Sequence, residues 1–453
     1  MTFDDRYGCA TTIANQEAIE IWNNVQLGFL CHAASAATDL GKTLEADPDF
    51  ALGHTCKGLF SLLLGKRELV SVAKEALKTA LNSHKENPVT AREQHYLRAL
   101  EVWLDGSLKA AIHEMEGVLV THPHDALAMK LSHAIRFLIG DSKGMLESLN
   151  RLAPIYEDNH AALGYFRGCM AFALEEAGEY DRAEKLGKRG IELAPLDAWG
   201  LHAVTHVYDM TGNAKGGLEW ISGKESSWTH CNNFRFHVWW HIALLHLDLG
   251  QHDRVMELYD AEIRKEKTDD YRDIANATSV LMRLELDGVN VGDRWEELGQ
   301  LAATRLDDNC LAFADLHYSL ALCGSDKQEA MGTLLTNMKQ TGAQPKTQEA
   351  AQIIGDPGVV AAAGLEAFRD QNFVAAHEYL AQAMPDLQII GGSHAQRDVF
   401  HRLTIESAIR AGNAQAAQYQ LKSRDLRRGH QDGYSRGRWE ALNRMTNNVI
   451  DAA

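Results

Sequence analysis

Glycine recurs along this chain at a spacing that few folds produce. Gly65, Gly106, Gly140, Gly178, Gly212 and Gly250 are separated by 41, 34, 38, 34 and 38 residues. Glycine turns a chain through conformations that a β-carbon disfavours. Six such turns in register mark a repeated helix–turn–helix unit, and a period in this range means a stacked array. A unit of that kind cannot bury its apolar face alone, so its neighbours must cover it. No alternating strand pattern interrupts the frame.

Residues 164–195, "GYFRGCMAFALEEAGEYDRAEKLGKRGIELAP", are the clearest copy: helix, short turn, helix, then proline. The turn "GEYDRA" and the close "GIELAP" match the tetratricopeptide consensus. Ala171 and Ala183 are small enough to let the paired helices approach. Weaker copies occupy 50–88 and 92–123, and others begin near Asp125, Asp197, Phe234, Leu311, Pro357 and Asp398. The expected fold is all-α: a tetratricopeptide-like, right-handed helical-hairpin solenoid of about ten hairpins, without sheet. Residues 1–47 read as an N-terminal helical cap, 48–425 as the repeat array and 426–453 as a C-terminal capping tail. The stretch 340–357 breaks the frame and reads as a hinge or as a helix with its own packing. The tail arginines in "RDLRRGHQDGYSRGRW" read first as a solvated capping helix, with docking onto an acidic partner or onto the chain itself as the alternative.

Composition narrows the function. A hydrophobic fraction of 45% suffices for a continuous core. The formal net charge of −17 repels phosphate backbones and anionic lipid, so neither nucleic acid nor membrane is an expected partner. Seven scattered cysteines without a CxxC pair fit a reducing compartment. The first residues lack a basic segment followed by an apolar run, so no signal peptide is expected, and no run approaches a membrane span. The expected location is the cytoplasm.

The polar residues of the repeats are unusual. In each hairpin the first helix lines the inner groove, with groove-facing positions three and four apart. Counting back from Gly212, these positions hold Trp199, His202, His206 and Asp209. Counting back from Gly250, they begin with His237 and Trp240, with His241 alongside. Imidazoles at i and i+4 can converge on one ion, and two such pairs on adjacent helices offer up to four nitrogens to a divalent metal such as zinc. The same spacing suits proton transfer near neutrality. The plainer alternative is that buried histidines hydrogen-bond their neighbours and fix the helix pair. Tyr165 and Glu175 line the preceding groove face, and Glu93 occupies a groove position further upstream. His54, His95 and His133 fall at packing or surface positions, and His246 at a helix contact.

Four short elements follow one another: "LHAVTHVYDM", "FHVWWH", "FADLHYSLAL" and "GGSHAQRDVF". In this order, within the helical array, they resemble the tetratricopeptide repeat protein 38 family over roughly residues 90–425. The family's HxxxH element is matched by His202 and His206, its HxxWH element by His237, Trp240 and His241, and its DxH element by Asp315 and His317. Its AQRD element is matched by Ala395 through Asp398, after Ser393 and His394, with Gln396 and Arg397 inside it. The resemblance implies a soluble α-helical solenoid and points to a site rather than to one assured reaction. Arg397, or a backbone amide at the start of that last helix, is a candidate anion contact.

Two functions compete. In one, the groove binds a small polar or anionic ligand, or a peptide terminus, through His, Trp and Arg, with a divalent metal as candidate cofactor. In the other, His202, His206, His237, His241, Asp315 and His317 serve an enzyme of hydrolase or lyase type. No HExxH, GxSxG, Walker or dinucleotide motif supports the second, and Cys231 falls in a loop. Self-association between copies is a further candidate partnership. Circular dichroism should give an almost purely helical spectrum, and deleting one complete internal repeat should damage folding, because each face needs its neighbour. Substantial strand signal would end this reading.

Overall fold

The computed structural model describes residues 2–157, 159–345 and 348–451. The helices are α1 (Gln16–Leu30), α2 (Ala36–Ala46), α3 (Ala51–Leu62), α4 (Arg67–Glu86), α5 (Ala91–Leu104), α6 (Leu108–Thr121), α7 (Ala126–Leu138), α8 (Ser142–Leu152), α9 (Leu163–Glu176), α10 (Tyr180–Leu193), α11 (Ala198–Met210) and α12 (Ala214–Ile221). They continue as α13 (Phe234–Asp248), α14 (His252–Leu258), α15 (Tyr271–Leu286), α16 (Arg294–Ala302), α17 (Ala312–Gly324), α18 (Gln328–Gly342), α19 (Glu349–Ile353), α20 (Val359–Arg369), α21 (Phe373–Ala383), α22 (His394–Arg410), α23 (Ala414–Arg428) and α24 (Gly433–Asp451). The fold class is all-α, with helical hairpins in series.

The chain forms two compact units. The first holds residues up to Val204, with Gly223–Arg235 and Pro345–Ala350. The second holds Thr205–Ser222, Phe236–Gln344 and residues from Ala351 on. The division falls inside the continuous helices α11 and α13.

Within the first unit α3 packs on α4, α5 on α6 and α9 on α10, while α3 meets α5 and α7 meets α9. Ala171 and Ala183 are fully buried, as close helix approach requires. The six turn glycines all adopt positive φ, Gly178 at +80°. At Gly178 the chain closes α9 with two reversed bonds, Gly178 N to Glu175 O at 2.9 Å and Glu179 N to Leu174 O at 2.8 Å, which satisfy carbonyls the helix leaves open. The expectation of no sheet needs one correction. Phe3–Asp4 (β1) pairs antiparallel with Ala10–Thr11 (β2). Strands of two residues are too short to show alternation, and the Asp5 carboxylate organises the turn by accepting from Tyr7 N and Cys9 N at 2.9 Å each. Glu93 serves this unit as a scaffold residue: it closes a capping box with Thr90 and accepts from Thr12 N and Oγ1 at 2.9 and 2.7 Å. Glu349, from the frame-breaking stretch, docks here too. Its amide donates to Gly106 O at 3.0 Å and its carboxylate accepts from Lys109 N at 2.9 Å, at the start of α6. Residues 346 and 347 of that stretch, and 452 and 453 of the tail, lie outside the described residues.

In the second unit α16 packs on α17, α20 on α21 and α22 on α23. Here α15 meets α17 and also α22, a contact between helices far apart in sequence that a strictly nearest-neighbour array lacks. Among the described residues no helix is long and apolar enough to cross a membrane.

Two glycine substitutions should move stability in opposite directions. Gly178→Ala introduces no clash, since nothing lies within 4 Å of the added carbon, but it forces a left-handed backbone on alanine. It should cost about 1–2 kcal/mol in urea denaturation. Gly41→Ala, in open space inside α2 and without positive φ, should gain about 0.5–1 kcal/mol. Equal effects at the two positions would contradict the turn assignment.

Candidate metal centre

In the second unit His206 of α11 and His237 and His241 of α13 converge. One ring nitrogen from each lies within 4.8 Å of the others. The Nε2 atoms of His237 and His241 stand 3.1 Å apart, and the rings of His206 and His241 are 4.2 Å apart between centroids. The i, i+4 spacing on α13 makes the first pair and helix pairing brings the second. His206 and His241 are buried, while His237 keeps some residue surface although its ionisable ring is enclosed. His202 lies one turn before His206 on the same face of α11. The rings of this stripe face the interior, with His206 and His241 buried.

The helix that organises the centre is α15, which carries no motif of its own. Asn276 Oδ1 accepts from His237 Nδ1 at 2.9 Å, so the His237 proton sits on Nδ1 and a lone pair faces His241. Two turns along α15, Arg283 lies over the Trp240 ring at 5.7 Å and donates to Ala395 O at 2.7 Å. Trp240 stacks on His237 at 5.1 Å and is fully buried, so it walls the centre. Thr278 Oγ1 bonds His317 Nδ1 at 3.0 Å, and the His317 ring lies against Phe313 and Phe400. Thus α15 links the elements of α13, α17 and α22. Burial pushes His237 down to about 4, and pushes His206 well below the ordinary imidazole range with help from His237 and His394. Burial and then the Arg283 charge push His317 down to about 3. All three are neutral at pH 7, the form that ligates metals.

The remaining candidates have other duties. Asp315, fully buried, has both carboxyl oxygens without a hydrogen-bond partner among the described residues, and burial raises it into the neutral form. Ser393 and Gln396 close a capping box at the start of α22. Arg397 donates to the carbonyls of Gly391 and Gly392. His394 contacts Arg397 at 3.4 Å. Asp209 and Asp398, expected as ligand contacts, are given to arginines. Arg428 holds Asp209 at 2.9 Å, and Arg402 and Arg424 hold Asp398 at 2.8 and 2.7 Å. Burial alone would raise Asp398, but Arg424 and Arg402 outweigh it and hold the carboxyl well below its ordinary range. Arg424 also binds Asp432 at 2.6 Å. This corrects the reading of the tail as solvated: Arg424 and Arg428 are buried in ion pairs within the chain. Trp199, Tyr165, Glu175 and His202 belong to the first unit. There Trp199 packs edge-on to His133 and Phe137, and accepts Lys130 over its ring at 4.5 Å. His202 Nδ1 donates to Trp199 O at 2.6 Å, because a carbonyl can only accept. Tyr165 and Glu175 are buried on α9.

The residues that sequence reasoning missed are Asn276, Thr278 and Arg283. Their only sequence signal is polarity on an apolar helix, "YRDIANATSVLMRLEL".

No family model matches this chain. Among solved structures it is similar to a chain of "Structure of Naa15/Naa10 bound to HypK-THB", at 12% identity and a TM-score of 0.25, over 91% of this chain and 64% of that one. The chain therefore spans somewhat under two thirds of the length of that protein.

His317 gives the site a testable acid response. Its unfolded value is the ordinary 6.5 and its folded value about 3, so below pH 6.5 the unfolded chain binds a proton that the folded chain refuses. The stability tied to neutral His317 is present above pH 6.5 and is lost as pH falls toward 3. Relative to His317→Gln, the parent protein should lose up to about 1.4 kcal/mol per pH unit in that window. Parallel stability curves for parent and variant would contradict the buried neutral assignment.

Proposed function

We propose that this chain is a metal-binding helical-repeat protein. A divalent ion such as zinc is held by His206, His237 and His241. The observation that carries this reading is the pair of Nε2 atoms 3.1 Å apart, one with its lone pair aimed inward by Asn276. Two nitrogens on a tetrahedral zinc at ordinary bond lengths stand ~3.3 Å apart. His237 donates Nδ1–H to the Asn276 oxygen, the outer-shell arrangement that orients Nε2 toward an ion. Without an ion, one proton must sit between the facing nitrogens of His237 and His241. Metal binding would release it.

A small polar or anionic ligand is the second occupant proposed for this centre. Asn276 Nδ2 is buried with no acceptor among the described residues, and His237 keeps a little surface. Burial favours holding an ion over rapid turnover. The hydrolase or lyase reading therefore ranks second and would need a metal-bound water beside the three imidazoles. The order of the four motifs supports membership of the tetratricopeptide repeat protein 38 family. Seven free cysteines support a cytoplasmic setting. A peptide or a second copy as partner rests on repeat architecture alone.

The test is elemental analysis of untagged protein with zinc titration against a chromophoric chelator. The parent should retain about one ion per chain, and His241→Ala should lose it. Asn276→Ala, which keeps every ligand, should weaken affinity about 10–100-fold. If the parent neither retains nor takes up metal, and the variants change only the melting temperature, the histidines are structural and the proposal fails.

A further inference from the structure

The first unit buries a second reactive pair. Lys130 of α7 and Cys169 of α9 are 3% and 1% exposed, and Lys130 Nζ lies 3.8 Å from Cys169 Sγ. Lysine is among the residues least often buried without a counter-charge. Among the described residues no carboxylate comes within ion-pair distance of Lys130. Its contacts are the thiol and the face of Trp199, at 4.5 Å. Asp197, buried nearby, feels the ammonium charge, yet its Oδ2 has no hydrogen-bond partner. Neither a weak sulfur acceptor nor a ring face fully replaces the water an ammonium gives up. A packing role would be met by leucine or methionine at position 130. The amine is held against one sulfur, on the neighbouring first helix of the array.

We propose that Lys130 and Cys169 form a peroxide-dependent covalent switch, an S–O–N bridge that staples α7 to α9. The chemistry balances with two molecules of hydrogen peroxide. In the first step Cys169 sulfur takes one oxygen, the O–O bond breaks, and a sulfenic acid and water result; sulfur loses two electrons. In the second step the Lys130 ammonium gives one proton to solvent, and the resulting amine nitrogen loses two electrons to a second peroxide. An N–O bond forms to the sulfenic oxygen, one N–H and the S–O–H proton are lost, and two waters leave. The gap between nitrogen and sulfur is wider than a direct S–N bond, and one intervening oxygen spans more of it. Burial pushes the Cys169 thiol up to about 11, although Lys130 draws it down, so the first step is slow and awaits local opening.

The experiment exposes the full chain to excess hydrogen peroxide and digests it with a glutamyl-specific protease, since modified Lys130 resists trypsin. Mass spectrometry should find the peptides containing residues 130 and 169 joined, heavier by one oxygen and lighter by two hydrogens. A thiol reductant should separate them, and the species should be missing from Lys130→Arg and Cys169→Ser. Oxidised parent protein should melt higher than reduced, with no such gain in Cys169→Ser. Cys169 carried to a sulfinic acid with Lys130 unlinked, or left as a thiol while Cys310 oxidises, would overturn the proposal. That readout comes from the parent protein, so it decides even if a variant folds poorly.

Discussion

The hydrogen bond from His237 Nδ1 to Asn276 Oδ1 sets the arrangement of the second unit's centre. An imidazole with both nitrogens enclosed has to place one proton and one lone pair. Asn276 settles that choice, turns the lone pair of Nε2 toward His241, and ties α13 to α15 at 2.9 Å. Orphaning such a group would cost about 1–3 kcal/mol. The same helix takes Arg283 to Trp240 and Ala395, and Thr278 to His317. Polar side chains on opposite faces of α15 therefore tie together three segments that the chain presents far apart.

Charge is handled differently close by, one turn beyond His206 on α11. Asp398, Asp432 and Asp209 meet Arg402, Arg424 and Arg428 in a buried network, with Arg424 contacting two carboxylates at once. Such pairs add little net stability over an apolar substitute, because desolvation offsets the attraction. Removing one partner is another matter, and costs about 3–5 kcal/mol. The network thus dictates how α22, α23 and the residues before α24 seat against the end of α11. The imidazoles follow the opposite logic. Burial holds His206 and His237 in the neutral form, so they need no counter-charge.

Much of the fold was legible in the chain. The turn glycines carried the hairpin frame, and each adopts the left-handed backbone that makes glycine worth keeping there. Helical periodicity put His202 with His206, and His237 with His241, because i and i+4 share a face in any α-helix. The capping box of Ser393 and Gln396 could equally be written down from residue spacing. These are local rules, in which partners lie within one turn of each other.

What tertiary structure decided is which distant groups meet. Nothing in "YRDIANATSVLMRLEL" announces that Asn276 will face His237, 39 residues away. Asp209 looked like a fourth polar groove residue until Arg428 arrived from 219 residues downstream to claim it. The enclosure of the imidazoles is likewise a product of packing, since a stripe read as groove-facing becomes interior once another helix closes over it. Period and register are properties of a single helix and can be read from one. Burial, proton placement and the pairing of charges depend on neighbours, and α15 became a neighbour to α22 only when the intervening hairpins had stacked.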